Sequence, residues 1–406
     1  MATGVHPLLV AFLALLLVGT CQARPAPRKF AAASAGVAVD GVTAIYNFGD
    51  SISDTGNFLR EGAGPGGDMM EHTVAAPYGA AIGGATGRCS DGYLMIDYLA
   101  KDLGLPLLNP YLDEGADFTH GVNFAVTGAT ALDTAALRRI GVTAPHTNSS
   151  LSVQLQRFKD FMEATTKSPA EAREKLANAL VMVGEIGNDY NYAFAVIRPR
   201  SSSGGARSVA DVGRIMTGVV ESMVLVPEVV RSVTSAAREV LDMGATRVVI
   251  PGNFPLGCVP SYLEAVNEED AAAYDGNGCL VGLNLFAQMH NVLLQQGICE
   301  LRRSYPEATI AYADYFNAYV RMLEGARDMG FDGAAVTKAC CGAGDGKYSF
   351  DMERLGGAPG TSVCARPEER LSWDGIHLTQ RAYGVMAELL YHKGFASPAP
   401  VKFPRQ

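Results

Sequence analysis

Apolar positions along this chain fall into two periods. Residues 42–48, 122–125, 180–183, 247–251 and 309–312 are short β-branched and apolar runs. They lack the polar alternation of a half-exposed strand, which predicts strands buried on both faces. Longer stretches between them repeat at helical spacing, and helices are expected over residues 92–103, 152–164, 170–180, 208–243, 280–303, 316–329 and 379–392. Pro227 should kink or divide the fourth of these. Strands alternating with helices give an α/β fold with a mostly parallel central sheet, and right-handed crossovers make it a three-layer α/β/α sandwich. Two glycine-rich stretches, residues 60–86 and 341–360, read as long loops that either shape a site or simply tolerate change.

An apolar run at residues 8–18 leads into Cys21-Gln-Ala23, with Arg24-Pro25 beyond. Residues 1–23 therefore read as a signal peptide cleaved after Ala23, the apolar run being too short to span a bilayer. Residues 24–40 form a loose leader, 41–395 one domain and 396–406 a C-terminal tail, and the expected destination is secretion, extracellular or to a cell wall. Removing Cys21 leaves seven of the eight cysteines, an odd number, so at least one thiol stays free. Cys258 and Cys279 flank one loop, and Cys340-Cys341 and Cys364 flank another. A bridge across each would contribute roughly 3 kcal/mol. Whether Cys340 or Cys341 reaches Cys364 is open, and Cys89 and Cys299 are the candidates for reduced thiols.

A net charge of −9 and no basic cluster argue against nucleic acid or an anionic membrane surface as partner. Neither a CxxC pair nor a histidine cluster suggests a metal site. The sequon Asn148-Ser-Ser150 makes Asn148 a glycosylation candidate.

Two stretches carry chemistry. Phe48-Gly-Asp-Ser-Ile-Ser-Asp-Thr-Gly-Asn57 closes the first strand, which delivers the Ser51 hydroxyl to the crevice where open α/β sheets bind ligands. The plainer reading is that Asp50, Ser51 and Asp54 cap a following helix. Near the C-terminus, Ser372-Trp-Asp-Gly-Ile-His-Leu-Thr379 sets Asp374 and His377 three apart, so that a carboxylate can orient an imidazole whose other nitrogen faces a nucleophile. Alternatively Thr379 is a helix cap and His377 a packed loop residue. The signature G-x-S-x-G of the α/β-hydrolases is absent, since Ser53 stands where its second glycine would be.

The first of these stretches resembles the opening block of the plant GDSL esterase/lipase family, within the SGNH hydrolases, and residues 373–379 are similar to its last block. The resemblance spans residues 48–383. It implies a flavodoxin-like fold and a secreted serine ester hydrolase, with Ser51 as nucleophile, His377 as base and Asp374 as orienting acid, and no metal or cofactor. Residues 123–131 resemble the second block, which implies the Gly128 backbone N–H as an oxyanion donor beside that of Ser51. Gly187-Asn188-Asp189-Tyr190 resembles the third, which implies the Asn188 side chain as another, although the usual G-x-N-D spacing is shortened here by one residue. After Pro77-Tyr78-Gly79 the chain has small residues over 80–85 where plant members commonly carry aromatics, and a wider cleft is expected. Lipids, acetylated wall polysaccharide and small phenolic esters all remain open as substrates. An acyltransferase using the same acyl-enzyme, or a non-catalytic binding protein on the same fold, is the alternative.

Overall fold

A computed structural model describes residues 41–62, 67–184, 187–196, 223–266, 271–343 and 346–398. The five apolar runs form parallel strands β1 (Ala44–Phe48), β2 (Gly121–Asn123), β3 (Ala179–Val183), β4 (Arg247–Pro251) and β5 (Thr309–Ala313). They lie in the order β2-β1-β3-β4-β5, with β1 paired to β2 on one side and β3 on the other. Alternate residues feed two separate cores. Tyr46, Val181, Val248 and Ile310 pack into one, while Ile45, Leu180, Val249 and Ala311 pack into the other. Both faces are thus apolar, which is why these strands read as continuous runs.

The layers follow from helix amphipathicity. On the first face lie α2 (Leu151–Thr165), α4 (Val226–Asp242) and α5 (Val281–Ser304), and on the second α1 (Met95–Asp102), α6 (Tyr315–Glu324) and α7 (Gln380–His392). Val226, Val229, Val230, Val233 and Val240 make a buried stripe along α4 at helical spacing. Burying each valine side chain stabilises the fold by about 1.5–3 kcal/mol. The three-layer α/β/α arrangement expected from the pattern is the one observed.

Several boundaries differ from expectation. Pro227 sits in the first turn of α4, where its missing N–H is harmless, and the part of the expected helix over 208–222 lies outside the described residues. The helix expected over 170–180 is Pro169–Ala177, since Ala179 and Leu180 already belong to β3. A helix not expected from the pattern, α3 (Asn188–Val196), follows β3. The segment from 396, read as tail, opens with β8 (Ala396–Ser397), antiparallel to the end of β5. At the start of the second glycine-rich stretch, β6 (Cys341–Ala343) pairs with β7 (Thr361–Val363), which follows its end.

Cys258 is bonded to Cys279, and Cys340 rather than Cys341 reaches Cys364. Cys89 and Cys341 are reduced and buried. Cys299, expected to be reduced, is disulfide-bonded.

β1 lies between two neighbours reached in opposite directions along the sheet, so the crevice at its carboxyl end is the topological switch point. Its floor is close-packed. A Cβ on Gly184, just past β3, would sit 2.0 Å from the Phe48 carbonyl oxygen and 2.9 Å from Gly49 Cα, both backbone atoms. Gly184→Ala should therefore lower the unfolding free energy by about 3 kcal/mol. An unfolding free energy from urea titration within ~0.5 kcal/mol of wild type, at unchanged slope, would contradict this packing.

Candidate active site

At Phe48 the β1 ladder ends, and the backbone of residues 49–57 must find other partners in a buried setting. Gln154 on α2 takes the Gly49 N–H at 3.0 Å and returns a hydrogen bond to the Gly49 carbonyl at 2.8 Å. Asp54 accepts four backbone N–H groups, from Gly56 and Asn57 at 2.7 Å, Phe58 at 3.1 Å and Thr127 at 2.8 Å. Asn57 donates to the carbonyls of Asn123 and Ala125, and Asn123 donates to that of Ser53. The cap-like work expected of this block thus falls to Asp54. The Ser51 hydroxyl makes no hydrogen bond among the described residues.

Asp374 and His377 lie together on the loop before α7. The Asp374 Oδ2 accepts from His377 Nδ1 at 2.6 Å, and its Oδ1 accepts from the N–H groups of His377 and Ile376 at 2.7 and 3.0 Å. Burial alone would raise the Asp374 pKa, but the His377 charge and these donors hold it below the usual carboxylate value. His377 Nε2 is buried with no partner among the described residues. Thr379 caps α7, its hydroxyl accepting from Ala382 N–H. The expected cap is therefore present, and it fixes the loop on which Asp374 and His377 meet.

Gly128 has φ +80°, and a Cβ there would lie 2.7 Å from His146 Cβ, so the position requires glycine. Tyr192 donates to its carbonyl at 2.9 Å. Asp189 braces the same loop by accepting from Ala131 and Leu132 N–H at 2.8 and 2.9 Å, and burial pushes its carboxyl up to about 7 against those donors. Neither the Ser51 nor the Gly128 backbone N–H has an acceptor among the described residues. Asn188 differs. Its Nδ2 donates to Asp50 Oδ2 at 3.0 Å and to the Ala129 carbonyl at 2.9 Å, so both amide hydrogens are engaged. Burial pushes Asp50 up to about 6, opposed by the Ile52 and Gly187 N–H groups.

Ser51, Gly128, Asn188 and His377 line one cavity of about 530 Å³ whose walls are mainly apolar, from Phe194, Phe254, Leu256 and Leu283 among others. Among the described residues, Asp50 and His377 are its only ionisable acid and imidazole besides His146 at the rim of the Gly128 loop. Of the two long loops, the second shapes it, through Met352 and Leu355, and no described residue of the first lines it. Residues 80–85 do not line it, so the small side chains there leave the cleft unaltered. They are tied instead to Ser90 and Asp91 through the Gly79 and Ala81 N–H groups. Asn148 is exposed and outside the cavity.

The family model for GDSL-like lipase/acylhydrolase matches residues 45–390. The chain belongs to that family. It is 41% identical over 348 residues to acetylajmalan esterase 1 of Rauvolfia serpentina, covering 85% of each chain. It is 37% identical over 364 residues to a GDSL esterase/lipase of Arabidopsis thaliana, covering 87% of this chain and 91% of that one. This GDSL protein is accordingly a serine hydrolase acting on ester bonds.

Sequence reasoning missed Tyr78. Its hydroxyl donates to Asp374 Oδ2 at 2.8 Å, on the oxygen that already holds His377, and its ring meets Trp373 edge-on at 5.7 Å. Burial, and next the Asp374 charge, raise its pKa well above the ordinary tyrosine value, so it stays a donor. Pro77-Tyr78-Gly79 was visible as a block, but nothing in the sequence connects it to a loop 296 residues away. Tyr78→Phe should fold, yet lose a charge-assisted hydrogen bond of ~1.5–3 kcal/mol from Asp374. The expected result is a roughly tenfold fall in kcat/KM, with slower fluorophosphonate labelling in parallel; unchanged labelling would assign Tyr78 to packing alone.

Proposed function

We propose that this GDSL protein hydrolyses small neutral carboxylic esters through a covalent intermediate on Ser51. The observation that carries the reading is the pairing of His377 with ionised Asp374, its free Nε2 opening on the cavity that also holds an unbonded Ser51 hydroxyl. His377 Nε2 takes the proton as Ser51 Oγ bonds to the ester carbonyl carbon, and the carbonyl electron pair moves to oxygen. Free N–H groups on Ser51 and Gly128 are donors fixed in advance for that oxyanion, and Asn188 joins them by sharing an amide hydrogen now given to Asp50 or Ala129. Collapse expels the alcohol, protonated by His377. A water then repeats the sequence on the acyl-enzyme and frees the acid and Ser51.

A cavity of about 530 Å³ suits a small organic ester better than a polysaccharide, and its apolar walls suit a bulky uncharged acyl or alcohol part. The acetylajmalan esterases among its relatives act by name on an acetylated compound, which agrees with this substrate class. The proposal includes residues 1–23 as a signal peptide, residues 41–395 as the hydrolase domain and glycan attachment at exposed Asn148. The Cys258–Cys279 and Cys340–Cys364 disulfides fit export, and among the described residues no helix is long and apolar enough to cross a membrane.

Ser51→Ala should give a folded protein that takes no fluorophosphonate label and shows essentially no turnover, since such groups act as a unit. Labelling that persists in the folded variant would place the nucleophile elsewhere. Asn188→Ala should lower kcat by ~10²-fold or more with KM nearly unchanged. Near-normal kcat with a lowered melting temperature would restrict Asn188 to bracing the loops.

A further inference from the structure

Asn253, just past β4, lines the same cavity as Ser51 and His377 yet takes no part in the steps above. Its backbone is fully committed: Asn291 on α5 accepts from its N–H at 2.6 Å and donates to its carbonyl at 3.1 Å. Its side chain is the reverse. The residue is 1% exposed, and neither its Oδ1 nor its Nδ2 has a partner among the described residues. A buried amide with donor and acceptor both unmet is unfavourable unless a ligand supplies the missing bonds. Asn291 clamps the backbone and so fixes the point on the cavity wall from which the amide projects.

We infer that Asn253 is a specificity residue that recognises a hydroxyl group on the ester substrate. One hydroxyl oxygen can accept from Nδ2 while its proton goes to Oδ1, which satisfies both orphaned atoms. A carbonyl or ether would leave Oδ1 unmet, and an ammonium would leave Nδ2 unmet. The inference rests on the ester-hydrolase reading of the cavity and adds to it the chemistry of the part of the substrate away from the reacting carbonyl. A site built to bond a substrate hydroxyl rejects the analogue lacking it by as much as ~10⁴-fold or more, because its own polar atoms are then left unpaired.

The test uses purified full-length protein, Asn253→Leu and the isosteric Asn253→Asp, with two matched substrate sets. Methyl cinnamate against its 2-, 3- and 4-hydroxy derivatives places the hydroxyl on the acyl side; cyclohexyl acetate against the cyclohexanediol monoacetates places it on the alcohol side. The readout is the ratio of kcat/KM for each hydroxylated ester over its deoxy partner. Wild type should favour at least one hydroxylated ester by roughly tenfold or more, and that ratio should collapse towards one in Asn253→Leu and fall in Asn253→Asp. A ratio unchanged in the variants, or a wild type that hydrolyses the deoxy esters with no preference in either set, overturns the inference. A wild type that hydrolyses none of them and takes no fluorophosphonate label would instead overturn the ester-hydrolase reading beneath it.

Discussion

A polypeptide leaving a buried parallel strand carries N–H and C=O groups that have lost their ladder and cannot reach water, and this structure depends on how that debt of hydrogen bonds is met. At the end of β1 it is met by side chains. Gln154 holds both polar groups of Gly49, and Asp54 gathers four N–H groups from two different loops. Because these side chains bridge segments distant in sequence, satisfying the backbone also fixes where the loops lie relative to one another. Ser51 is left as the residue in the turn whose hydroxyl is not needed for support. Its availability follows from the saturation of its neighbours.

The same economy governs charge. Asp50, Asp54, Asp189 and Asp374 are all buried, the first three held chiefly by N–H donors and Asp374 by the His377 charge together with such donors, in place of a lysine or arginine. Such donors arrive from defined directions and leave no mobile cation in the cavity, so the carboxylates act as joints. The buried Arg88–Asp97 pair, with two contacts of 2.8 Å, is the complementary case outside the cavity. It anchors residues 88–91, where Ser90 holds the Leu378 carbonyl and Asp91 the Gln380 N–H. The loop bearing His377 is therefore supported from below by an ion pair and from the side by Tyr78.

The strands were legible because burial on both faces makes them uniformly apolar, and Ser51, Asp374 and His377 stood out as candidates because each sits in a dense block of small and polar residues at a predicted element's end. What escaped depends on contacts between distant segments. Tyr78 and Asn253 look ordinary in sequence and gain meaning only from a carboxylate or a cavity supplied by other elements. The adjacent pair Cys340-Cys341 could not be resolved by spacing, since one position differs from the other only in which way its side chain points from a strand edge. Helix α3 was hidden because its signal begins inside the block where Asn188 and Asp189 are occupied by other partners.

The contacts that assemble the His377 loop span 288, 289 and 296 residues. Contacts of such separation form late, after the intervening chain has been ordered. During synthesis from the N-terminus, the turn around Ser51 and its bracing by Asp54 and Gln154 can be complete while the histidine has yet to emerge. On the mechanism proposed above, a nascent or truncated chain ending before residue 372 has the hydroxyl and lacks its base. Under that reading reactivity arrives only with the last stretch of the domain, and the finished fold is itself the condition for chemistry.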